Sequence, residues 1–254
     1  MQQYRLYYPV AMNFNNILFL DIETVSQYEN YQQLPEDWRE LWDQKATSLL
    51  RNKEGDNAES IYDRASIYAE FGKIICISCG CIQGQGEDRK LIIKSFFGHN
   101  EAKLLKEFAD MLQSWSRDAE KFLCAHNGKE FDYPYICRRM IINGISIPEI
   151  LKIAGRKPWE VRHLDTLDLW KFGDYKNYTS LKLLAQALGI PSPKDDIDGS
   201  MVYDVYWLQK DLERIVKYCQ KDVVTLTQVF LRFNCEPQIK PENISIKHVE
   251  QNQL

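Results

Sequence analysis

The sequence predicts an α/β domain in which a mixed five-stranded sheet is flanked by helices. Two neighbouring apolar segments, residues 73–83 and 89–98, are separated by the turn-forming stretch GQGED and therefore predict a hairpin. Further along the chain, short apolar segments alternate with segments of helical periodicity. A hairpin followed by strand–helix alternation is typical of a mixed sheet with helices on its faces.

Each predicted element has its own pattern. Strands are predicted at 17–25, 73–83, 89–98, 121–127 and within 161–170. Helices are predicted at 100–115, 131–145, 180–190 and about 208–233. Asn100 is the expected N-cap of the first of these helices, and Gly189 is expected to end the third. A polar insertion at about 27–70 contains two further helical patterns, at 34–52 and 58–72.

Length and composition suit one domain. The chain has 254 residues, of which 44% are hydrophobic and 27% charged, an ordinary globular balance. We expect a single domain over residues 1–235, which includes the insertion, and a polar, loosely ordered tail at 236–254. No apolar run approaches the roughly 18 residues of a membrane helix, and the N-terminus lacks the layout of a signal peptide. These features predict a cytoplasmic protein with no membrane partner.

Charge and cysteine content narrow the classes of protein. A net charge of -4 argues against a protein that binds along nucleic acid through its overall positive charge. It is compatible with an enzyme that binds a few phosphates through local contacts. Seven cysteines without an export signal are expected to be reduced thiols. The cluster CISCGC, with Cys76, Cys79 and Cys81, has a zinc-like first pair, but no second pair follows at finger spacing. A core strand is the favoured interpretation of this segment.

Two carboxylates, Asp21 and Glu23, lie at the end of the first predicted strand. Residues i and i+2 of a strand point to the same face, so two like charges lie close together. Either their pKa values rise, or a hard divalent cation such as Mg²⁺ or Mn²⁺ binds between them. The alternative is a solvated strand end, where such a pair costs little, and this pair alone leaves both interpretations open.

Two further segments carry acids. Asp132 opens a predicted helix five residues after Asn127, and the helix dipole by itself is enough to favour an acid there. Tyr218 and Asp222 are four residues apart and share one face of the last helix, at the edge of its apolar stripe. An unpartnered carboxylate is costly at such a position, and the adjacent lysines are poorly placed to pair with it, so a functional Asp222 is favoured.

Four acids and a tyrosine from three separated segments can converge where strand ends meet a helix. Two metal ions held by such acids form a site for in-line displacement at phosphorus. One ion lowers the pKa of the attacking water, and the other stabilises the leaving oxygen. Tyr218 could hydrogen-bond that water and orient it.

The three segments resemble the motifs of a known enzyme family. FLDIET on the first strand, HNGKEFDYPYICRR at a strand-to-helix junction and YCQKDV on the last helix are similar to the three motifs of the DEDDy 3′–5′ exonucleases. The resemblance is strongest to the proofreading exonuclease domain of family-B DNA polymerases and its stand-alone bacterial relatives, and it covers roughly residues 15–233. It implies a ribonuclease-H-like fold.

The resemblance also implies roles for individual residues. Asp21, Glu23 and Asp222 would ligate the first of two Mg²⁺ or Mn²⁺ ions, and Asp21 would bridge to the second. Asp132 would support the second ion directly or through water. Tyr218 would position the nucleophilic water, and the reaction would release nucleoside monophosphates from a 3′ end.

Other residues of the motifs are assigned to the substrate. Asn127, Phe131 and Thr24 are expected to line or bind the substrate path. Arg138 and Arg139 follow the second motif and could meet phosphates, although solvated arginines on a helix surface are commoner.

Two polar residues end another predicted strand near the expected sheet edge. For His163 and Asp165 the favoured interpretation is a pair of core polar residues with satisfied hydrogen bonds. Asp165 is also a candidate for an outer acid of the metal site.

Three rival functions compete with an exonuclease acting on DNA. A haloacid-dehalogenase-type phosphatase needs an Asp where this chain has Glu23, and it predicts no Tyr-x-x-x-Asp helix. An inactive nucleic-acid-binding module is disfavoured because all four acids are present. An exoribonuclease would use the same site, and no motif here reveals contacts to the 2′-hydroxyl. We therefore predict a metal-dependent 3′–5′ exonuclease acting on single-stranded or frayed nucleic acid ends, with DNA favoured, and with bases stacked on aromatic side chains.

Overall fold

The computed structural model of the protein describes residues 13–51, 55–117, 120–157, 160–174, 178–191 and 197–247. Over these residues it has six β-strands and six α-helices. The strands are β1 (Ile17–Ser26), β2 (Gly72–Gln83), β3 (Lys90–Phe97), β4 (Phe122–Ala125), β5 (Leu164–Asp165) and β6 (Ile244–Lys247). The helices are α1 (Glu36–Leu49), α2 (Glu101–Trp115), α3 (Asp132–Ile142), α4 (Thr166–Lys171), α5 (Leu181–Ala187) and α6 (Leu212–Phe233). None of the described helices is both long enough and apolar enough to cross a membrane.

The strands form one mixed sheet in the order β5-β4-β1-β2-β3-β6. Strands β1, β2 and β3 pair antiparallel, and the predicted hairpin is the β2–β3 pair. Strands β4 and β5 extend the sheet from β1 in parallel. Helices α2 and α3 cover one face of the sheet, and α6 covers the other. The predicted α/β class, a mixed sheet flanked by helices, is confirmed.

The alternation of side chains along β1 decides which residues meet α6. Leu18 and Leu20 pack in the core with α2 and α3, whereas Ile17 and Phe19 pack in the core with α6. Because a strand alternates its faces, the residues that continue the odd-numbered series point toward α6. The two acids of the first motif belong to this series.

The sixth strand corrects two expectations. The predicted count of five strands is wrong, because β6 pairs in parallel with β3 at the sheet edge. The expectation of a loosely ordered tail is wrong for residues 236–247. Ile239 is buried, its backbone N–H donates to the side-chain oxygen of Gln228, and its carbonyl accepts from the side-chain NH₂ of Gln228. One buried apolar residue and one amide side chain therefore anchor a segment of polar composition. Residues 248–254 of the expected tail lie outside the described residues.

Helix α6 lies close against the sheet because of a glycine. A Cβ built on Gly80 of β2 would come within 2.9 Å of the Val223 side chain and 3.0 Å of the Leu91 side chain. At these distances the Val223 and Leu91 side chains would have to shift to accommodate a larger residue, so the glycine suits the close packing of α6 on β2. The close approach places the N-terminal half of α6 over the end of β1.

The insertion forms an aromatic core of its own. Trp42 of α1 is fully buried, packs edge-on against Tyr62 and Phe71, and donates its indole N–H to the Ala58 carbonyl at 2.7 Å. The predicted first helical segment is α1, whereas the second is a short 3₁₀ helix, Tyr62–Ile67, rather than an α-helix. The insertion is therefore a packed unit beside the end of β1.

Neither sequence-based interpretation of Arg139, contact with a phosphate or a solvated position on the helix surface, agrees with the structure. Its guanidinium is buried between α3 and α2, where it forms a salt bridge with Glu101 and donates to the Ala69 carbonyl at 2.8 Å. The same carboxylate accepts the backbone N–H of Ile74 at 2.7 Å. Neighbouring Arg138 is exposed. The sequence pattern does not reveal this pair because its partner lies 38 residues away.

Candidate active site

Five residues from the three motifs surround one cavity of about 620 Å³. They are Asp21, Glu23, Asp132, Tyr218 and Asp222. The cavity lies where β1 extends beyond its parallel partner β4, whose pairing with β1 ends at Phe19 opposite Cys124. Residues distant in the sequence thus reach the same point because β1 is central in the sheet and α6 crosses its end.

Of the paired acids of β1, Glu23 is buried and Asp21 is half-buried, so neither is a freely solvated side chain. Glu23 is only 8% exposed, and Oδ2 of Asp21 is buried without a hydrogen-bond partner. Burial raises the pKa of Asp21 well above its usual value, and the nearby charges of Asp222 and Asp132 raise it further. Burial likewise raises the pKa of Glu23, followed by the charge of Asp21. The interpretation as a solvated strand end is therefore wrong.

Asp132 is the first residue of α3 and is 4% exposed. Burial raises the pKa of Asp132 to about 7, and hydrogen bonds from its own backbone and from that of Ile22 oppose this shift. The backbone of Ile22 lies past the end of the β1–β4 ladder, so this carboxylate takes a place that a strand partner would otherwise fill. A charged Asp132 is thus costly without a cation.

Asp165 braces the turn that leads to Asp132. Its carboxylate accepts backbone N–H groups from Asn127 at 2.9 Å and Lys129 at 3.0 Å, and it also caps α4 through Leu167 at 2.9 Å. Asn127 has a φ of 62°, in the left-handed region that costs energy for a residue other than glycine. Asp165 stabilises this turn and starts α4, a helix that the sequence patterns do not predict. The expectation of a satisfied core acid is confirmed.

His163 does not meet the same expectation. Its Nε2 is buried without a hydrogen-bond partner, and its ring lies 4.4 Å from that of Tyr133. Burial lowers the pKa of His163 to about 4, and the charges of Lys129 and Arg156 lower it further. The side chain is therefore a neutral ring in the wall behind the turn.

Tyr218 and Asp222 are joined on α6. The hydroxyl of Tyr218 hydrogen-bonds the Asp222 carboxylate one helical turn away. Burial raises the pKa of Tyr218 far above its ordinary value, and the charges of Asp222 and Glu23 act in the same direction. Tyr218 therefore keeps its proton at any physiological pH.

The residues expected to meet substrate divide into two groups. Asn127 and Phe131 line the cavity. Thr24 is not among its lining residues, and its hydroxyl donates instead to the Ser66 carbonyl of the insertion at 2.9 Å. Register in the β1–β2 pair shifts between Glu23 and Thr24, directly after the two acids of the site.

The opposite wall of the cavity comes from residues that the motifs do not single out. His126 hydrogen-bonds the Thr166 hydroxyl at 2.9 Å and the Thr179 carbonyl at 2.8 Å, which holds the segment with Tyr178 beside the site. The remaining lining residues on this wall include Ser180, Lys182 and Asp198. His126 is the one residue of this wall that the sequence could have indicated, because it lies next to Asn127 in the second motif. The others follow no pattern.

The donor set fits a divalent cation. Single ligand atoms of Asp21, Glu23 and Cys219 lie within 4.8 Å of one another. The buried Oδ2 of Asp21 has no hydrogen-bond partner, and buried carboxylates with raised pKa values are stabilised when a cation binds them. Asp132 and Asp222 line the same cavity and bring further oxygen ligands, which suit Mg²⁺ or Mn²⁺.

A second groove borders the cavity along α6. It has a volume of about 430 Å³ and shares Tyr218 with the carboxylate site. Arg214, Lys217 and Lys221 line it at helical spacing, and Ile246 of β6 also lines it. Asp211 and Glu213 line it as well, so three basic and two acidic residues border the groove beside the carboxylate cavity.

Comparison with known proteins gives one family. Residues 67–250 match a family described as predicted 3′–5′ exonuclease related to the exonuclease domain of PolB. The match includes Asp132, Tyr218 and Asp222 and begins after β1. No curated protein matches the chain.

One solved structure with a similar fold is the family B DNA polymerase from the hyperthermophilic archaeon Pyrobaculum calidifontis. The likeness has a TM-score of 0.47 at 17% identity, and it covers 85% of this chain but 24% of the polymerase chain. The family match, by contrast, spans more than half of the 254 residues. The chain therefore belongs to the family of predicted 3′–5′ exonucleases related to the exonuclease domain of PolB.

Proposed function

We propose that the protein is a metal-dependent exonuclease that hydrolyses phosphodiester bonds from the 3′ end of single-stranded or frayed nucleic acid, with DNA as the favoured substrate. The observation that carries the proposal is the convergence of four carboxylates and Tyr218 on one cavity. Four acids close together, two of them buried and two half-buried, are unfavourable unless cations compensate them. Sites of clustered carboxylates that hold metal ions are suited to displacement at the phosphorus of a phosphodiester. Membership of an exonuclease family supports the same activity.

The acids share one role in this proposal. Asp21, Glu23, Asp132 and Asp222 would hold the divalent ions. When bound, such ions lower the pKa of the attacking water and stabilise the negative charge of the leaving oxygen. The carboxylates supply fixed ligands on rigid elements, with β1 providing two, α3 one and α6 one.

Tyr218 orients the attacking water. Its hydroxyl keeps its proton and is held by Asp222, so it offers a fixed hydrogen-bonding group at the edge of the cavity. Orientation of this kind lowers the entropic part of the barrier without proton transfer by the phenol itself. The assignment is therefore a positioning role.

Asn127 and Phe131 contact the terminal nucleotide. Asp165 holds the backbone of Asn127, and Phe131 packs against Tyr135 with ring centroids 5.3 Å apart, so both stand on braced structure. An aromatic ring in the cavity wall can contact a base or a sugar. Such contacts do not depend strongly on the identity of the base. His126 supports the facing wall through the Thr179 carbonyl.

The strand upstream of the scissile bond follows the groove along α6. Arg214 and Lys221 are seven residues apart, which on a helix spans about 10 Å. That length accommodates roughly two phosphates of a single strand, because one nucleotide extends a few ångströms. Local cations here offset the repulsion between a polyanion and a protein of net charge -4.

The activity is tested with 5′-labelled oligonucleotides. With Mg²⁺ or Mn²⁺ we expect stepwise shortening and release of nucleoside monophosphates, arrested by EDTA and by Asp222→Asn. Parallel DNA and RNA strands, single- and double-stranded, distinguish the proposed deoxyribonuclease from the exoribonuclease that the same site would allow. Tight binding with full-length product after long incubation in Mn²⁺ would identify an inactive nucleic-acid-binding module instead.

A further inference from the structure

A cysteine lies among the carboxylates of the site. Cys219 follows Tyr218 on α6, is fully buried, and donates its thiol hydrogen to the backbone carbonyl of Asp21 at 3.4 Å. Its sulfur and carboxylate oxygens of Asp21 and Glu23 are mutually within 4.8 Å. This is the tightest potential ligand group among the described residues, and it includes a soft atom.

A second thiol supports the first. Cys76 of β2 pairs with Glu23 in the β1–β2 register and is itself fully buried. It hydrogen-bonds Cys219. The segment CISCGC is thus a core strand, as the sequence indicates, but its first cysteine reaches the underside of the carboxylate site.

Zinc fits this group better than magnesium does. Zinc binds sulfur at about 2.3 Å and oxygen at about 2.0 Å with tetrahedral angles, so its ligand atoms stand about 3.5 Å apart. The three atoms need to close by little more than 1 Å from their spacing of up to 4.8 Å. Sulfur selects zinc over magnesium, and zinc also exceeds manganese in general affinity. The unpartnered Oδ2 of Asp21 is available as an oxygen ligand.

We propose that Cys219, Asp21 and Glu23 form a binding site for a thiophilic divalent cation, zinc, and that zinc bound there inhibits the enzyme by excluding Mg²⁺ or Mn²⁺. Cys76 is the candidate fourth ligand. Binding releases the thiol proton of Cys219, as for any zinc thiolate. The inhibitory part of this inference rests on the proposed nuclease function, whereas the metal site does not.

Cobalt(II) serves as the spectroscopic probe, because a sulfur ligand produces a charge-transfer absorption that oxygen ligands do not. Titration of reduced, metal-free protein with Co²⁺ is expected to produce this band in wild type and in Cys137→Ala, a matched control in α3 away from the site. The band should vanish in Cys219→Ser and be bleached in wild type by one equivalent of Zn²⁺. Cys235→Ala controls for the exposed thiol near the end of α6.

Absence of the band in wild type, or its survival in Cys219→Ser, overturns the proposal. Circular dichroism confirms that each variant is folded, and Cys219→Ala replaces Cys219→Ser if the serine variant is not. A band lost in Cys76→Ser but kept in Cys219→Ser would likewise reject Cys219 as the ligand.

Measurements of nuclease activity in the presence of zinc test this inference separately from the proposed function. With Mn²⁺ as the activating ion, half-inhibition of Cys219→Ser should need at least ~10-fold more Zn²⁺ than wild type, relative to the activity of each without zinc. Equal zinc sensitivity overturns the inhibitory role even if the nuclease is active. A cobalt–sulfur band in a protein that cleaves no oligonucleotide would support the metal site and overturn the proposed function.

Discussion

Tyr218 hydrogen-bonds Asp222 across one turn of α6, so one rigid helix carries both the group proposed to orient water and an acid proposed to hold metal. Their relative position is set by the helix and does not depend on loops. By contrast, their distance to Asp21 and Glu23 depends on how closely α6 packs on the sheet, which Gly80 permits. The position of Tyr218 relative to Asp222 is thus determined locally by α6, whereas their position relative to the acids of β1 is determined by tertiary packing.

Tyr218→Phe tests the orienting role. The variant keeps the ring and removes the hydroxyl, so we expect kcat to fall by about 10²-fold with little change in KM. Binding of Mn²⁺, measured by calorimetry, should persist because all four acids remain. An unchanged kcat would remove Tyr218 from the mechanism.

Asp132→Asn tests the cost of the buried acid. The pKa of Asp132 in the folded protein, about 7, exceeds its usual value, so the folded state holds a proton that the unfolded state has lost between about pH 4 and 7. The metal-free protein therefore loses stability as pH rises through this window. We expect Asp132→Asn to raise the free energy of unfolding by roughly 2–4 kcal/mol at pH 8, and by less at pH 5.

Urea denaturation in EDTA at both pH values measures this difference. Separate nuclease assays with Mn²⁺ in place of EDTA should show that the variant has lost the activity of wild type. A destabilised Asp132→Asn at pH 8 would contradict the inferred cost. The outcome would then mean that the carboxylate is compensated by the Ile22 backbone more strongly than its burial suggests.

His163 predicts an acid-side loss of stability with the opposite sign. The folded pKa of about 4 is below the unfolded value, so only the unfolded state gains a proton as pH falls from about 6.5 toward 4. Stability should fall by up to about 3 kcal/mol across that window. His163→Phe preserves the ring beside Tyr133 and removes the unpaired Nε2, so its stability should vary less with pH. Equal pH dependence in wild type and variant, measured by thermal unfolding, would reject this contribution.

The buried pair of Arg139 and Glu101 is a matter of stability rather than substrate contact. Arg139→Met leaves an uncompensated carboxylate, and we expect a loss of about 3–5 kcal/mol in the free energy of unfolding. The exposed pair of Lys106 and Asp110 provides the matched control, since Lys106→Met should change stability by less than about 1 kcal/mol. Denaturant titration compares the two. A loss in Arg139→Met no larger than in the control would show that the pair contributes little.

The groove along α6 predicts a salt-dependent effect on binding. Lys217→Ala should weaken binding of a single-stranded 12-mer and reduce the slope of log Kd against log salt concentration by about 0.7, the value for one phosphate contact. Binding is measured by fluorescence anisotropy with EDTA present, so cleavage does not interfere. Lys152→Ala, an exposed lysine outside the groove, is the control. An unchanged slope in Lys217→Ala would place the strand elsewhere.

Local periodicity made much of the site predictable. Period two along β1 places Asp21 and Glu23 on one face, and period 3.6 along α6 places Tyr218 beside Asp222. Both relationships hold in the structure because they depend on backbone geometry within one element. The order of hairpin and strand–helix units likewise indicated the mixed sheet.

Tertiary structure decided which elements meet. No pattern in the sequence indicates that Arg139 pairs with Glu101 or that Gln228 anchors Ile239. Alternation along β1 already places Thr24 on the face opposite Asp21 and Glu23, but its hydrogen-bond partner, the Ser66 carbonyl, follows only from the tertiary structure.

The sequence by itself determined the fold class and the spacing of functional groups within each segment, since both follow from periodicity. Only the tertiary structure decided that Cys219 and Cys76 adjoin the acids, and that Oδ2 of Asp21 is buried without a hydrogen-bond partner. The physical reason is that sheet order and helix packing bring together residues about 200 positions apart, and such contacts leave no trace in local sequence.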